Sequence, residues 1–146
     1  MKASELIKTK IKEWEGLRLT AYRCPAGVLT IGYGHTGADV SAGKKITQAE
    51  ADALFDKDIS QFERQVAAVV GAVNMRQCQW DAIVSLAYNI GIGSFGRSTL
   101  LSKLKSYPDN PAIRAEFARW NKAGGKVQPG LVKRREWEAQ RYFGEV

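Results

Sequence analysis

The sequence predicts an α+β domain dominated by helix, with a small β-hairpin near the N-terminus. Three observations carry that expectation. Apolar residues recur at helical spacing through most of the chain. One short stretch, residues 17–34, alternates apolar and polar side chains instead. Glycines and prolines then separate the periodic segments at loop-like intervals. A length of 146 residues fits one domain, residues 1–146. The small β lobe is expected at about 17–45, with the helical lobe formed by the remainder, including a helix over 4–15.

That first helix is predicted from Leu6, Ile7, Ile11 and Trp14, which share one face, with Gly16 available as a stop. Leu17, Leu19 and Ala21 alternate with Arg18, Thr20 and Tyr22 as a strand. Cys24-Pro25-Ala26-Gly27 supplies turn chemistry, and Val28-Leu29-Thr30-Ile31 returns as a second strand. Gly32, Gly34 and Gly37 are expected to break regular structure around His35.

Thr47-Gln48-Ala49-Glu50 has the capping-box pattern, in which side chains at both ends satisfy otherwise unpaired amides. The apolar stripe of Leu54, Phe55, Ile59, Phe62, Val66, Val69 and Val70 continues that helix to Gly71. Asn74 is a candidate cap for the next, with Cys78, Ile83, Val84 and Ala87 on its buried face. Gly91, Gly93 and Gly96 interrupt it, and Ser98 can start another helix. Pro108 and Pro111 mark a turn before a segment ending near Trp120. A loop runs from Gly124-Gly125 to Pro129-Gly130, and a final helix from Leu131 carries Trp137, Tyr142 and Phe143.

Composition narrows the function classes. Apolar residues at 45% and charged residues at 25% suit a folded domain rather than a disordered one. No stretch approaches the ~20 apolar residues of a membrane span, and the first residues lack the apolar run of a secretory signal. Cys24 and Cys78 have no metal-ligand spacing and are expected as reduced thiols. Neither a metal nor a nucleotide cofactor is implied. The net charge is +7, and residues 101–146 hold ten Lys/Arg against five Asp/Glu. Such a surface suits a polyanion, whether nucleic acid, an anionic membrane or a bacterial wall, and equally a solvated basic face with no partner.

The chemistry concentrates in residues 15–35. Glu15 should end the first helix, where unpaired carbonyls disfavour a carboxylate anion and Trp14 and Leu17 reduce hydration. A carboxyl kept partly protonated near neutral pH is what protonation of a glycosidic oxygen requires. On composition alone, a solvated helix-end glutamate explains the residue as well.

The wider pattern is more specific. Glu15, Cys24 and Thr30 are separated by eight and five residues. This resembles the E-x8-(D or C)-x5-T signature of phage-type lysozymes, glycoside hydrolase family 24. Glu15-Gly16-Leu17-Arg18-Leu19 and Thr30-Ile31-Gly32-Tyr33-Gly34-His35-Thr36 resemble the flanking blocks of that family. Tyr88-Asn89-Ile90-Gly91 with Phe95 and Ser98-Thr99-Leu100 is similar to its second block. Arg119-Trp120, Ala123-Gly124-Gly125, Gly130-Leu131 and Arg134-Arg135 are similar to its third. These blocks occur in family order over nearly the whole chain.

The resemblance implies a lysozyme-like fold and hydrolysis of the β-1,4 bond between N-acetylmuramic acid and N-acetylglucosamine in peptidoglycan. It implies Glu15 as general acid, with Cys24 and Thr30 facing it from the hairpin. Many relatives carry Asp at the Cys24 position. A thiolate can replace that negative charge, whereas a neutral thiol does so poorly, and Cys24 can also be read as a turn residue. Tyr88 and Ser98 are expected sugar contacts, with core packing as the alternative. His35 is expected to support the hairpin. Arg134-Arg135 can bind wall anions, pair with a carboxylate near the cleft, or lie on a solvated helix face. The implied protein is a monomeric endolysin without nucleic acid or stable membrane association, held in the host cytoplasm until released to the wall. A catalytically weak peptidoglycan-binding module of the same fold is the alternative, and a nucleic-acid-binding domain lacks a recognised motif.

Overall fold

The computed structural model describes residues 1–146. Helix α1 spans Glu5–Glu15, and strands β1 (Arg18–Arg23), β2 (Leu29–Gly32) and β3 (His35–Thr36) follow. Five helices come next: α2 (Gln48–Val70), α3 (Gln77–Ile90), α4 (Ile92–Gly96), α5 (Thr99–Ser106) and α6 (Ile113–Ala118). Two-residue strands β4 (Lys122–Ala123) and β5 (Lys126–Val127) then lead into α7, Pro129–Tyr142. The predicted α+β class, helix-dominated with a small hairpin near the N-terminus, is the class observed.

Helix α1 is fixed at both ends by its own sequence. The Ser4 hydroxyl accepts from Ile7 N at 3.3 Å, relieving one of the unpaired amides that begin any helix. The same hydroxyl donates to buried Asp81 at 2.5 Å, and Arg141 also reaches Asp81 at 2.8 Å. These bonds set the origin of α1 against α3 and α7. Ile7 and Ile11, one turn apart, are fully buried beneath it. The rigid rise of the helix then carries Glu15 to a defined place at its far end.

The apolar residues form two clusters. The larger joins Ile7 and Ile11 to Phe55, Ile59 and Val66 of α2, Ile83 and Leu86 of α3, Phe95, Leu100, Phe117 and Tyr142. The smaller contains Ile31, Val40, Ile46 and Ala51. Helix α2 spans both, with Ala51 in the small cluster and Phe55 onward in the large one. Its start is the expected capping box, with Glu50 N donating to Thr47 Oγ1 and Thr47 N to Glu50 Oε1, each at 3.1 Å. Ser98 caps α5 as expected, its Oγ accepting from Leu101 N at 3.1 Å.

Several expectations are corrected. The glycine-rich stretch around His35 is not wholly irregular: Ile31 pairs with His35 and Thr30 with Thr36, making a three-stranded antiparallel sheet in the order β1-β2-β3. Helix α3 is capped by Arg76, whose N–H donates to Gln79 Oε1 at 2.9 Å, and not by Asn74. Cys78, in its first turn, is only half-buried, with its thiol donating to Tyr142 O of α7 at 3.7 Å. The Gly91–Gly96 interruption contains the short helix α4, held by the fully buried Phe95 ring. The loop before the last helix contains the β4–β5 hairpin, and α7 starts at Pro129, a residue suited to a first helical turn.

Candidate active site

A cleft of about 660 Å³ lies between the hairpin and the helices. Glu15, Cys24, Thr30 and Tyr88 all line it. Residues up to 73 positions apart in the sequence thus meet around one opening, because α1 ends where the hairpin begins, α2 packs against the hairpin, and α3 packs against α1 and α2.

Glu15 is held in this cleft by an ion pair. Its Oε2 accepts from Arg134 Nη1 of α7 at 2.7 Å, and its side chain is 17% exposed. Arg134 itself is buried, its guanidinium stacked 4.9 Å from the Trp14 ring centre. Of the three readings of Arg134, pairing with a carboxylate near the cleft is the one observed. Its depth excludes the solvated helix face. On the other side of Glu15, an ideal Cβ at Gly34 would fall 2.6 Å from Oε1. The carboxyl is therefore bounded by a cation on one oxygen and bare backbone on the other.

Across the cleft, Cys24 sits in the turn between β1 and β2, with its amide donating to Val28 O at 3.0 Å. Its thiol is lowered from the ordinary cysteine value, first by the backbone at Val28; burial opposes this, and Ala26 and the Thr30 hydroxyl add to the lowering. A lowered thiol has more thiolate at a given pH. Thr30 is buried, and its hydroxyl donates to Val28 O at 2.9 Å. The turn thus ties Cys24 and Thr30 to the same backbone segment.

The two expected sugar contacts separate. Tyr88 lines the cleft, but its hydroxyl donates to Tyr33 O at 2.6 Å and its ring packs against Phe55 and Phe62. The ring supplies cleft surface while the hydroxyl is occupied. Ser98 is not brought into this cleft. Its side chain is buried at the start of α5, donating to Phe95 O at 2.7 Å while capping the helix.

Sequence reasoning missed a row on α2. Asp58, Gln61, Phe62 and Gln65 line the cleft at steps of three, four and seven from Asp58, one helical face. The polar members of that face are the available signal, lying beside the stronger apolar stripe.

Asp58 also explains His35. The imidazole Nδ1 lies 2.7 Å from Asp58 and Nε2 lies 3.0 Å from Asp39, so His35 ties β3 to α2 and to the loop beyond. Burial pulls this imidazole down, but the hydrogen bonds and charges of Asp58 and Asp39 outweigh it, leaving His35 above its ordinary value. Asp58 is raised by burial despite His35, and Asp39 is lowered by it. A raised histidine binds its proton more tightly in the folded state. Its stabilisation is complete below about pH 6.5, the ordinary value, and is lost as pH rises through the folded one. Asp58 acts in the same sense and Asp39 in the opposite one, but only near or below the carboxylate range. The stability difference between the parent and His35→Gln should therefore be on the order of 2 kcal/mol at pH 6. It should shrink toward pH 9 in thermal melts, and a pH-independent difference would remove the charged pair from the account.

The family model described as "Phage lysozyme" matches residues 12–138. The chain is 45% identical over 142 residues to an endolysin of Acyrthosiphon pisum secondary endosymbiont phage 1, covering 94% of this chain and 95% of that protein. It is also 45% identical over 130 residues to the endolysin of Bacillus phage B103, covering 88% of this chain but 49% of the relative. The chain thus spans about half the length of that second relative. Among solved structures, the muramidase domain of SpmX from Asticaccaulis excentricus superposes with a TM-score of 0.84 at 32% identity, covering 97% of each chain. The matched residues run from the end of α1 through most of α7 and so include both the helix-borne Glu15 and the hairpin facing it, and this chain belongs to the phage lysozyme family.

Proposed function

We propose that this chain is an endolysin that hydrolyses the β-1,4 bond between N-acetylmuramic acid and N-acetylglucosamine in bacterial peptidoglycan. The observation that carries the reading is Glu15, a carboxyl held at the cleft by Arg134 on a helix end fixed from its other end. Glu15 donates its proton to the glycosidic oxygen as the bond to the anomeric carbon breaks, and water supplies the hydroxyl to that carbon. Cys24 and Thr30, on the hairpin side, orient that water or face the positive charge that develops on the sugar ring. The lowered thiol of Cys24 supports the thiolate form of that role. Tyr88 offers an aromatic face to a sugar, whereas Ser98 is left without a substrate role.

Residues 1–146 act as one unit, with the small lobe at about 17–45 supplying Cys24 and Thr30. The chain works as a monomer without cofactor, nucleic acid or stable membrane association. No helix is long and apolar enough to cross a membrane. The chain stays in the host cytoplasm until it is released to the wall. A catalytically weak wall-binding module is not favoured, because the acid is retained and positioned.

Mass analysis of purified peptidoglycan after digestion tests the reading. Fragments ending in reducing muramic acid are expected, and reducing glucosamine ends or cut peptides would overturn it. In the same digests Cys24→Asp should release fragments at a substantial rate and Cys24→Ser about tenfold more slowly than the parent, because serine does not ionise near neutral pH. A fully active Ser variant would return Cys24 to the role of a turn residue.

A further inference from the structure

The buried side of α7 carries charges that the reaction above does not use. Glu138 is fully buried, beside Arg134 and Arg135 at 3% and 1% exposure. An unpaired carboxylate at this depth would be strongly destabilising, so its partners decide what it does. Oε2 accepts from Arg134 Nε at 3.3 Å and from the Ser85 hydroxyl of α3. Oε1 lies 3.0 Å from Arg135 Nε, an ion pair without an aligned hydrogen bond.

Both arginines continue to the cleft. Arg134 Nη1 reaches Glu15, and Arg135 Nη2 donates to Asn89 Oδ1, where Asn89 forms part of the cleft wall. Arg135 Nη1 has no hydrogen-bond partner, so Asn89 and the Glu138 charge are what orient this side chain. Burial lowers Arg135 and Glu138 opposes that effect. One carboxylate therefore lies behind two separate supports of the cleft.

We propose that Glu138 is a positioning residue for glycan hydrolysis, holding Arg134 on the acid and Arg135 on Asn89 from beneath the cleft. The proposal rests on the reading of Glu15 as the acid. With both glutamates ionised, the four buried or half-buried charges cancel. When Glu15 carries the proton it will donate, one positive charge is left over. Without Glu138 there would be two, and the protonated acid would be disfavoured beside them. The other titratable groups lining the cleft are Asp58 from α2, Tyr88 from α3, and Tyr22 and Cys24 from the hairpin. None of them contacts Glu138, so a change there isolates the buried set.

The test compares pH–rate profiles on soluble glycan fragments, following reducing-end release. In Glu138→Gln the basic limb of kcat should move to lower pH by about one unit, a roughly tenfold loss at pH 7, because one unit changes the protonated fraction tenfold. KM should rise as Asn89 loosens. Arg135→Met should move the limb the other way and also raise KM. The double variant restores the charge balance, so its limb should return to the parental position while KM stays high. A merely structural Glu138 would lower kcat or stability without moving the limb, and an unmoved limb in folded Glu138→Gln overturns the proposal. If that variant does not fold, an unmoved limb in Arg135→Met overturns it instead. Glu15→Gln measured alongside separates the two readings. Parental activity there removes the acid itself, whereas an inactive Glu15→Gln with unmoved limbs elsewhere removes only the role of Glu138.

Discussion

Replacing Glu15 by Gln should leave a folded protein whose wall lysis is slower by about 10²–10⁴-fold, the usual contribution of a positioned general acid. The substitution is nearly isosteric, and the amide oxygen can still accept from Arg134 Nη1, so the contact to α7 survives. What is lost is the acidic proton, since an amide N–H does not protonate a leaving alkoxide. With its side chain partly open to the cleft, Glu15 is not part of the apolar core, and thermal melts of the variant should stay close to those of the parent. Turbidity of purified walls reads the rate. Clearance at the parental rate by the folded variant would mean that another group delivers the proton.

A second large effect is expected at Gly34, where an added Cβ would meet only the side chain of Glu15. Its backbone has φ +80°, a region that costs an L residue roughly 1–2 kcal/mol, and an added Cβ would sit 2.6 Å from Glu15 Oε1. The end of a glutamate side chain would ordinarily move aside at little cost. Here Oε2 is already fixed by Arg134, so moving the carboxyl means leaving that partner or pushing into the cleft. A misplacement of about 1 Å can cost roughly 10²-fold in rate, and Gly34→Ala should lose activity on that scale. Gly27→Ala is the matched control. Gly27 has φ +81° but nothing within 4 Å of an added Cβ, so it carries the strain without the collision. Comparable activity in the two variants would show that the Gly34 effect is backbone strain and not displacement of Glu15.

The parts of the fold legible in the sequence are those with local causes. Ile7 and Ile11 point one face of α1 inward, Thr47 and Glu50 cap α2 reciprocally, and Ser98 caps α5, each within a few residues. The two-residue strands β3 and β4–β5 offer no alternation to detect, since their pairing depends on neighbours brought by the turn. Asn74 looks like a cap by residue type, yet a backbone contact of Arg76 to Gln79 starts α3 instead. At the site, the resemblance to phage-type lysozymes singles out Glu15, Cys24 and Thr30, and all three line one cleft. Ser98 was named from its hydroxyl, but the helix it begins uses that hydroxyl. The partner of Glu15 was one of three open readings for Arg134, and only the packing of α7 against α1 and α3 selects among them.

The bond from Arg134 to Glu15 joins residues 119 positions apart, nearly the full span of the chain. During synthesis from the N-terminus, contacts that are near in sequence can form first and distant ones wait for the rest of the chain. The small cluster of Ile31, Val40, Ile46 and Ala51 closes within one contiguous stretch, so the hairpin and the start of α2 can settle early. Helix α1 cannot, because Asp81 must first be made to hold Ser4, and α7 must follow to bring Arg134 under Glu15. A nascent chain therefore carries Glu15 well before Arg134, the group that holds it, which follows 119 positions later. Placement of Glu15 thus waits on α7, and a chain interrupted before Arg134 would present that carboxyl to the cleft without its partner.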